Sequence, residues 1–127
     1  MTDRGRYAVD VKVDAVYLPT QSNPTERRYA FAYTVIIRNT GVVDVTLLSR
    51  HWVITDAEGR VREVRGEGVI GQQPLIAPGE SFKYTSGTVI ETPVGTMHGS
   101  YRLQASDGVE FDAAIDAFRL ADPRTVH

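Results

Sequence analysis

From Tyr7 to Tyr17 the chain reads "YAVDVKVDAVY", with Val9, Val11, Val13, Ala15 and Tyr17 on one parity and Asp10, Lys12 and Asp14 on the other. Side chains of an extended chain point alternately to its two faces, so this pattern predicts a strand buried on one side. "PTQSNPTERR" from Pro19 is polar, carries two prolines and predicts a loop. "YAFAYTVIIRN" then puts Tyr29, Phe31, Tyr33, Val35 and Ile37 on one face, an aromatic and β-branched series of strict period two. Asn39, Thr40 and Gly41 supply a turn, "VVDVTLLSRHWVIT" continues extended to Asp56, and "DAEG" turns the chain into "RVREVR". "SFKYTSGTVIET" sets Phe82 and Tyr84 against Lys83 and Thr85, and Gly87 within it predicts a bulge or a crossing between sheets. "GSYRLQAS" turns Tyr101, Leu103 and Ala105 inward and leads to Asp107-Gly108, a two-residue hairpin signal. In the last segment Val109, Phe111, Ala113 and Ile115 share one parity while Phe118 and Leu120 take the other. That slip predicts a β-bulge at Asp116 and Ala117.

No window of helical length shows apolar spacing at i, i+3, i+4 and i+7 without interruption by turn residues. About seven strands punctuated by Gly, Pro and Asn/Asp clusters predict an all-β fold, an Ig-like or fibronectin type III-like antiparallel β-sandwich. Trp52, in the third strand, takes the place of a core indole, and Tyr101 that of a tyrosine corner. A single domain is expected over residues 1–127, with 1–6 and 121–127 as flexible ends.

The composition narrows the chemistry. Hydrophobic residues make up 42% and charged residues 24% of 127, which is ordinary for a chain that folds on its own core. A net charge of −2 gives no global reason to expect nucleic acid or an anionic membrane as a partner, so any anion site must be local. With no cysteine, disulfides, thiolate nucleophiles and cysteine-ligated zinc are excluded. The N-terminal "MTDRGRYAVD" lacks the apolar core of a signal peptide and no run of apolar residues is long enough to span a bilayer, so the expected location is cytoplasmic.

One motif invites a specific chemistry. Gly66, Gly68 and Gly71 in "GEGVIGQQPLIAPGE" match the G-x-G-x-x-G fingerprint of a dinucleotide-binding turn. That turn works only when it launches a helix whose N-terminal N–H groups face the pyrophosphate. Here Pro74 and Pro78 fall in the second and third turns of the required helix, each costing roughly 3 kcal/mol in a helix interior. A dinucleotide site is therefore excluded. Two readings remain: an anion-binding concavity formed by the amides of Gly66, Gly68 and Gly71 with Arg65 and Arg50 for charge, or a loop crossing from one sheet to the other.

Four stretches in order, "RYAFAYTVIIRN", "LLSRHWVITDAEG", "VRGEGVIGQQPLIAPGESFKYTSG" and "ETPVGTMHGSYRL", resemble the ApaG family across nearly the whole chain. The resemblance implies a fibronectin type III-like sandwich. It also implies an interaction module, because related domains occur in certain F-box proteins and in a polymerase-delta-interacting protein. An association with cobalt resistance and magnesium efflux follows from it as well, as does a suggested pyrophosphate-binding role resting on Gly66, Gly68 and Gly71. At Asp116 the chain departs from family members that often carry proline before the last "F-x-L".

Other chemistry finds little purchase. His51, His98 and His127 are far apart with no metal-ligand spacing, so no metal site and no cofactor are expected. Ser86 stands in no nucleophile elbow, and the carboxylates are scattered through turns and solvent faces. The reading is a non-enzymatic interaction domain linked to divalent-cation homeostasis, with a protein partner and a homodimer through a sheet edge as candidate assemblies. Its alternatives are phosphate or pyrophosphate binding at the Gly66–Gly71 turn and direct cobalt or magnesium binding. Arg60, Arg62 and Arg65 either contribute to such a surface or guard an edge strand by charge.

Overall fold

The buried parity of each strand decides how the two sheets face one another. The computed structural model describes residues 5–125. Its strands are β1 (Val9–Tyr17), β2 (Tyr29–Asn39), β3 (Val45–Asp56), β4 (Val61–Glu67), β5 (Leu75–Ile76), β6 (Ser81–Ile90), β7 (Val94–Ala105) and β8 (Glu110–Ala121). One sheet runs β1-β2-β6; the other runs β4-β3-β7-β8, with the two-residue β5 paired to the start of β3. All pairings are antiparallel, and the architecture is the expected all-β sandwich. The polar connection from Pro19 forms two short 3-10 turns, Pro19–Gln21 and Pro24–Glu26.

The core is aromatic at its centre. Trp52 is 2% exposed and meets Tyr33, Tyr101 and Phe118 edge-on, at centroid distances of 5.3, 6.3 and 5.8 Å. Such T-shaped contacts set the positive edge of one ring against the negative face of another. Phe118 reaches this cluster because β8 slips register: Met97 pairs with Phe118, but Gly99 pairs with Ile115. Asp116 and Ala117, both exposed, stand against His98 alone, so the expected bulge is present and its one extra residue converts odd inward parity to even.

Three local expectations are corrected. Gly87 sits in an unbroken ladder opposite Ala32, and the unforeseen irregularity lies at Leu48, between the Leu47–Leu103 and Ser49–Arg102 pairs. Tyr101 is no tyrosine corner: it lies well inside β7, and its hydroxyl bonds the hydroxyl of Tyr84 rather than backbone. Burial pushes both phenols up, Tyr84 to about 12. Asp107-Gly108 belongs to a longer turn closed by Gly108 N–H to Ala105 O at 2.9 Å. Only Gly108 of that pair has positive φ, whereas the tightest hairpin would require it of both.

The segment from Gln72 to Glu80 is no helix. It is β5 followed by a Pro78-Gly79 turn, which carries the chain from the five-stranded sheet to the three-stranded one. Asn39 anchors this crossing. Fully buried, it donates from Nδ2 to Val43 O at 2.7 Å and Ile76 O at 2.9 Å, and its Oδ1 accepts from Gly41 N–H.

At the C-terminus, Ala121 closes β8 and Asp122 is buried, accepting from Arg124 Nη2 at 3.0 Å. His127 lies outside the described residues. Among those described, no helix is long and apolar enough to cross a membrane.

Candidate functional site

The two long sides of the sandwich are built differently. On the β1–β8 side the inward residues of β1 (Val9, Val11, Val13, Ala15 and Tyr17) all pack on the core. Tyr7 stacks near Phe111 at 5.8 Å and donates its hydroxyl to Asp107 at 2.6 Å, while Arg6 pairs with the same carboxylate at 3.2 Å. These bonds hold the Asp107 carboxyl below its ordinary range and raise the Tyr7 phenol.

Along the middle of the β4–β6 side the inward positions are Arg62, Val64 and Gly66 from β4, and Ser86 and Thr88 from β6, while Phe82, Tyr84 and Ile90 of β6 pack on the core to either side. None of the middle residues is a large apolar side chain that could bridge the layers, and burying the charged head of Arg62 without a partner would be costly. The edges therefore stand apart. Between them lies a cleft of about 540 Å³ bordered by Arg50, Arg62, Val64, Ser86 and Thr88, with Trp52 also on its lining. Arg62 spans the gap, donating from Nη2 to Thr88 Oγ1 at 3.0 Å and Val89 O at 3.3 Å.

Arg50 explains the first glycine of the motif. Its strand partner is Gly66, and an ideal Cβ on Gly66 would stand 2.7 Å from both Nη atoms. The guanidinium thus lies across the space a side chain would fill, and Nη1 donates to Glu67 O at 3.1 Å and Gly68 O at 2.9 Å. Gly68 has φ of +57°, and a Cβ there would run into Gln72 O. Its N–H donates to Leu48 O at 2.7 Å, at the irregularity in β3. Gly71 follows Ile70 in a tight turn closed by Val69 and Gln72, whose N–H groups each bond the other's carbonyl. Ile70 and Gly71 both have positive φ, 42° and 78°, which marks a type I′ turn. For a β-branched residue this is a strained conformation, and the Ile70 side chain is 54% exposed.

Of the five residues picked from the sequence as an anion site, the structure gathers Arg50, Gly66 and Gly68 and sets Arg65 apart. Arg65 pairs with His51, next to the Arg50–Gly66 pair, so its side chain leaves the opposite face of the sheet. There it meets Glu63 at 3.4 Å, and Glu63 also bonds His51 Nε2 at 2.6 Å, the contact that lowers the Glu63 pKa. The amides of Gly68, Val69 and Gln72 are engaged by backbone carbonyls. Among the described residues, those of Ile70 and Gly71 have no backbone acceptor. Sequence reasoning weighed Arg62 and Ser86 separately and did not join them, because β4 and β6 are neighbours only across the sandwich.

Residues 19–105 match the ApaG domain. The chain belongs to the ApaG domain family. It is 59% identical over all 127 residues to Protein ApaG of Azoarcus sp. (strain BH72), with both chains fully covered. It is 61% identical over 122 residues to Protein ApaG of Pseudomonas paraeruginosa, covering 96% of this chain and 97% of the relative. A crystal structure of an ApaA protein from Bordetella pertussis superposes with a TM-score of 0.91 at 53% identity, covering 94% of this chain and 98% of that one. The ApaG names carry no catalytic activity with them. Among the described residues, no group of three His, Asp or Glu side chains is gathered to hold a metal ion.

Proposed function

We propose that this ApaG domain is a non-catalytic interaction module that receives a partner protein on its open side, along β4 and over the β4–β6 cleft. The observation that carries this reading is the asymmetry of the sandwich. One side is sealed where Tyr7, just ahead of β1, meets Phe111 of β8 and the Asp107 carboxylate of the turn before it, whereas the other presents a strand edge beside a cleft. Unpaired strand edges are templates for added strands, and many recognition domains use them so. Val64, opposite Trp52 and 36% exposed, offers an apolar contact on the cleft side of β4. The link to divalent-cation homeostasis implied by the family resemblance is then carried through the partner.

Photocrosslinking tests the reading. A benzoylphenylalanine at Val64 is expected to give a discrete, reproducible crosslinked species in cells, and one at Ala114, on β8, is expected to give none. Crosslinks from Ala114 alone, or from neither, would refute the open-side assignment. Turnover of a phosphate ester by the pure protein, abolished by a single substitution, would refute the non-catalytic one.

A further inference from the structure

The charge on the open side narrows the partner. Arg6, Arg27, Arg60, Arg65, Arg102 and Arg124 sit in ion pairs with carboxylates, whereas Arg28, Arg38, Arg50, Arg62 and Arg119 have none among the described residues. Of these five, Arg50 and Arg62 share the open side. Among the described residues, their hydrogen-bond partners are neutral, namely backbone carbonyls and one threonine hydroxyl. No carboxylate borders the cleft they share; the nearby ones line adjoining depressions, Glu26, Asp56 and Glu91 in the one beside Arg62 and Asp112 in the one beside Arg50. A guanidinium carries five N–H donors, and the bonds made by Arg62 come from one nitrogen, those by Arg50 likewise from one. Donors are left over on both, in a protein whose net charge is negative.

Their spacing has the period of a strand. Arg62 occupies one inward position of β4, Val64 the next, and Gly66, over which the Arg50 guanidinium lies, the third. At about 3.3 Å per residue the two cationic positions are about 13 Å apart, with apolar Val64 between them. A strand added to the free edge of β4 would set its own inward side chains beside these three at positions i, i+2 and i+4. Gly66 makes the third position usable, because Arg50, one strand further in, reaches the edge only where β4 has no side chain.

We infer that the β4 edge binds an extended segment of a partner protein with the pattern acidic-x-apolar-x-acidic, its two carboxylates meeting Arg62 and Arg50 and its central apolar side chain covering Val64. This rests on the open-side reading above and gives that side its ligand class. The same arginines disfavour pairing of β4 with a like-charged strand, so the charge that protects the edge also selects what joins it.

The test uses a fluorescein-labelled nine-residue peptide of threonines with Glu at positions 3 and 7 and Leu at position 5, titrated by anisotropy against the full chain. Saturable binding that weakens with added salt is expected. Moving the second Glu to position 6 places the acids on opposite faces and should weaken binding about tenfold, as should Arg62→Gln. Arg62→Glu should shift preference toward a peptide with Lys at position 3, a rescue that a folding defect cannot produce. Circular dichroism verifies that each variant is folded.

Equal binding of the two acidic spacings would overturn the inference. So would a lack of binding by any peptide at millimolar concentration, displacement of the peptide by inorganic pyrophosphate at equal concentration, or a salt-resistant dimer of the chain itself through β4. If peptides fail while Val64 crosslinks persist, the acidic-segment inference falls and the open-side reading stands; if both fail, both fall.

Discussion

Substituting alanine for the three glycines of the motif separates a folding role from a ligand role, because the surroundings of each demand a different cost. At Gly66 an added Cβ would stand 2.7 Å from Arg50 Nη1 and Nη2 and 2.8 Å from the guanidinium carbon. Arg50 can swing away, but it then loses the bonds to Glu67 O and Gly68 O. Hydrogen bonds from a charged donor contribute about 1.5–3 kcal/mol, and removing a glycine from a strand returns about 0.5–1 kcal/mol. At this half-exposed site the balance for Gly66→Ala is a loss of about 1–2 kcal/mol. At Gly68 the obstacle is the Gln72 carbonyl, which is backbone and cannot swing, and φ is +57°. Left-handed backbone costs about 1–2 kcal/mol and forced overpacking about 1–3, so Gly68→Ala should lose about 3 kcal/mol. At Gly71 φ is +78° but the space is open, so only the backbone term applies, about 1 kcal/mol.

Urea unfolding followed by Trp52 fluorescence measures all three. The decisive arm is a double-mutant cycle. With Arg50→Met in place, Gly66→Ala should become neutral or stabilising by up to about 1 kcal/mol, while Gly71→Ala keeps its cost. If Gly68→Ala cost no more than Gly71→Ala, or if Gly66→Ala cost the same with and without Arg50, the structural account of the motif would be wrong.

Three other outcomes are expected. Asn39→Ala leaves the carbonyls of Val43 and Ile76 without their donor and should lower stability by about 3 kcal/mol in chemical denaturation, since each orphaned buried acceptor costs about 1–3; a loss below 1 kcal/mol would contradict the anchoring role. Tyr84 and Tyr101 have raised pKa values when folded, so their contribution is intact below the ordinary phenol pKa of about 10 and is lost as pH rises through the folded values, the Tyr84 one at about 12. Stability should thus fall above pH 10 by about 1.4 kcal/mol per unit for each buried phenol, and absorbance at 295 nm should show these two ionising only on unfolding; a flat profile would refute this. In hydrogen exchange, amides of β4, whose residues are nearly all exposed, should open well below the global unfolding free energy that governs β2 and β7; equal protection would argue for a closed edge.

The sequence by itself determined the strands and their buried faces, because period-two alternation is a local property of an extended chain. Tyr29 to Ile37 could be placed without knowing any partner strand, and so could the bulge at Asp116 and Ala117, since a change of parity is written in the residues on either side of it. Prolines 74 and 78 also sufficed to rule out a helix after the glycines. Tertiary structure alone decided what the glycines are for and where charge collects. Arg50 stands directly opposite Gly66 and Arg65 one residue before it, so alternation sends the two arginines to opposite faces, and no local pattern told which face would be the inner one beyond the irregularity at Leu48. The cleft joins β4 to β6 across two layers, and its openness comes from residues too small or too polar to fill the gap between them. That is a fact about packing at a distance, so it became visible only once the two sheets were laid against each other.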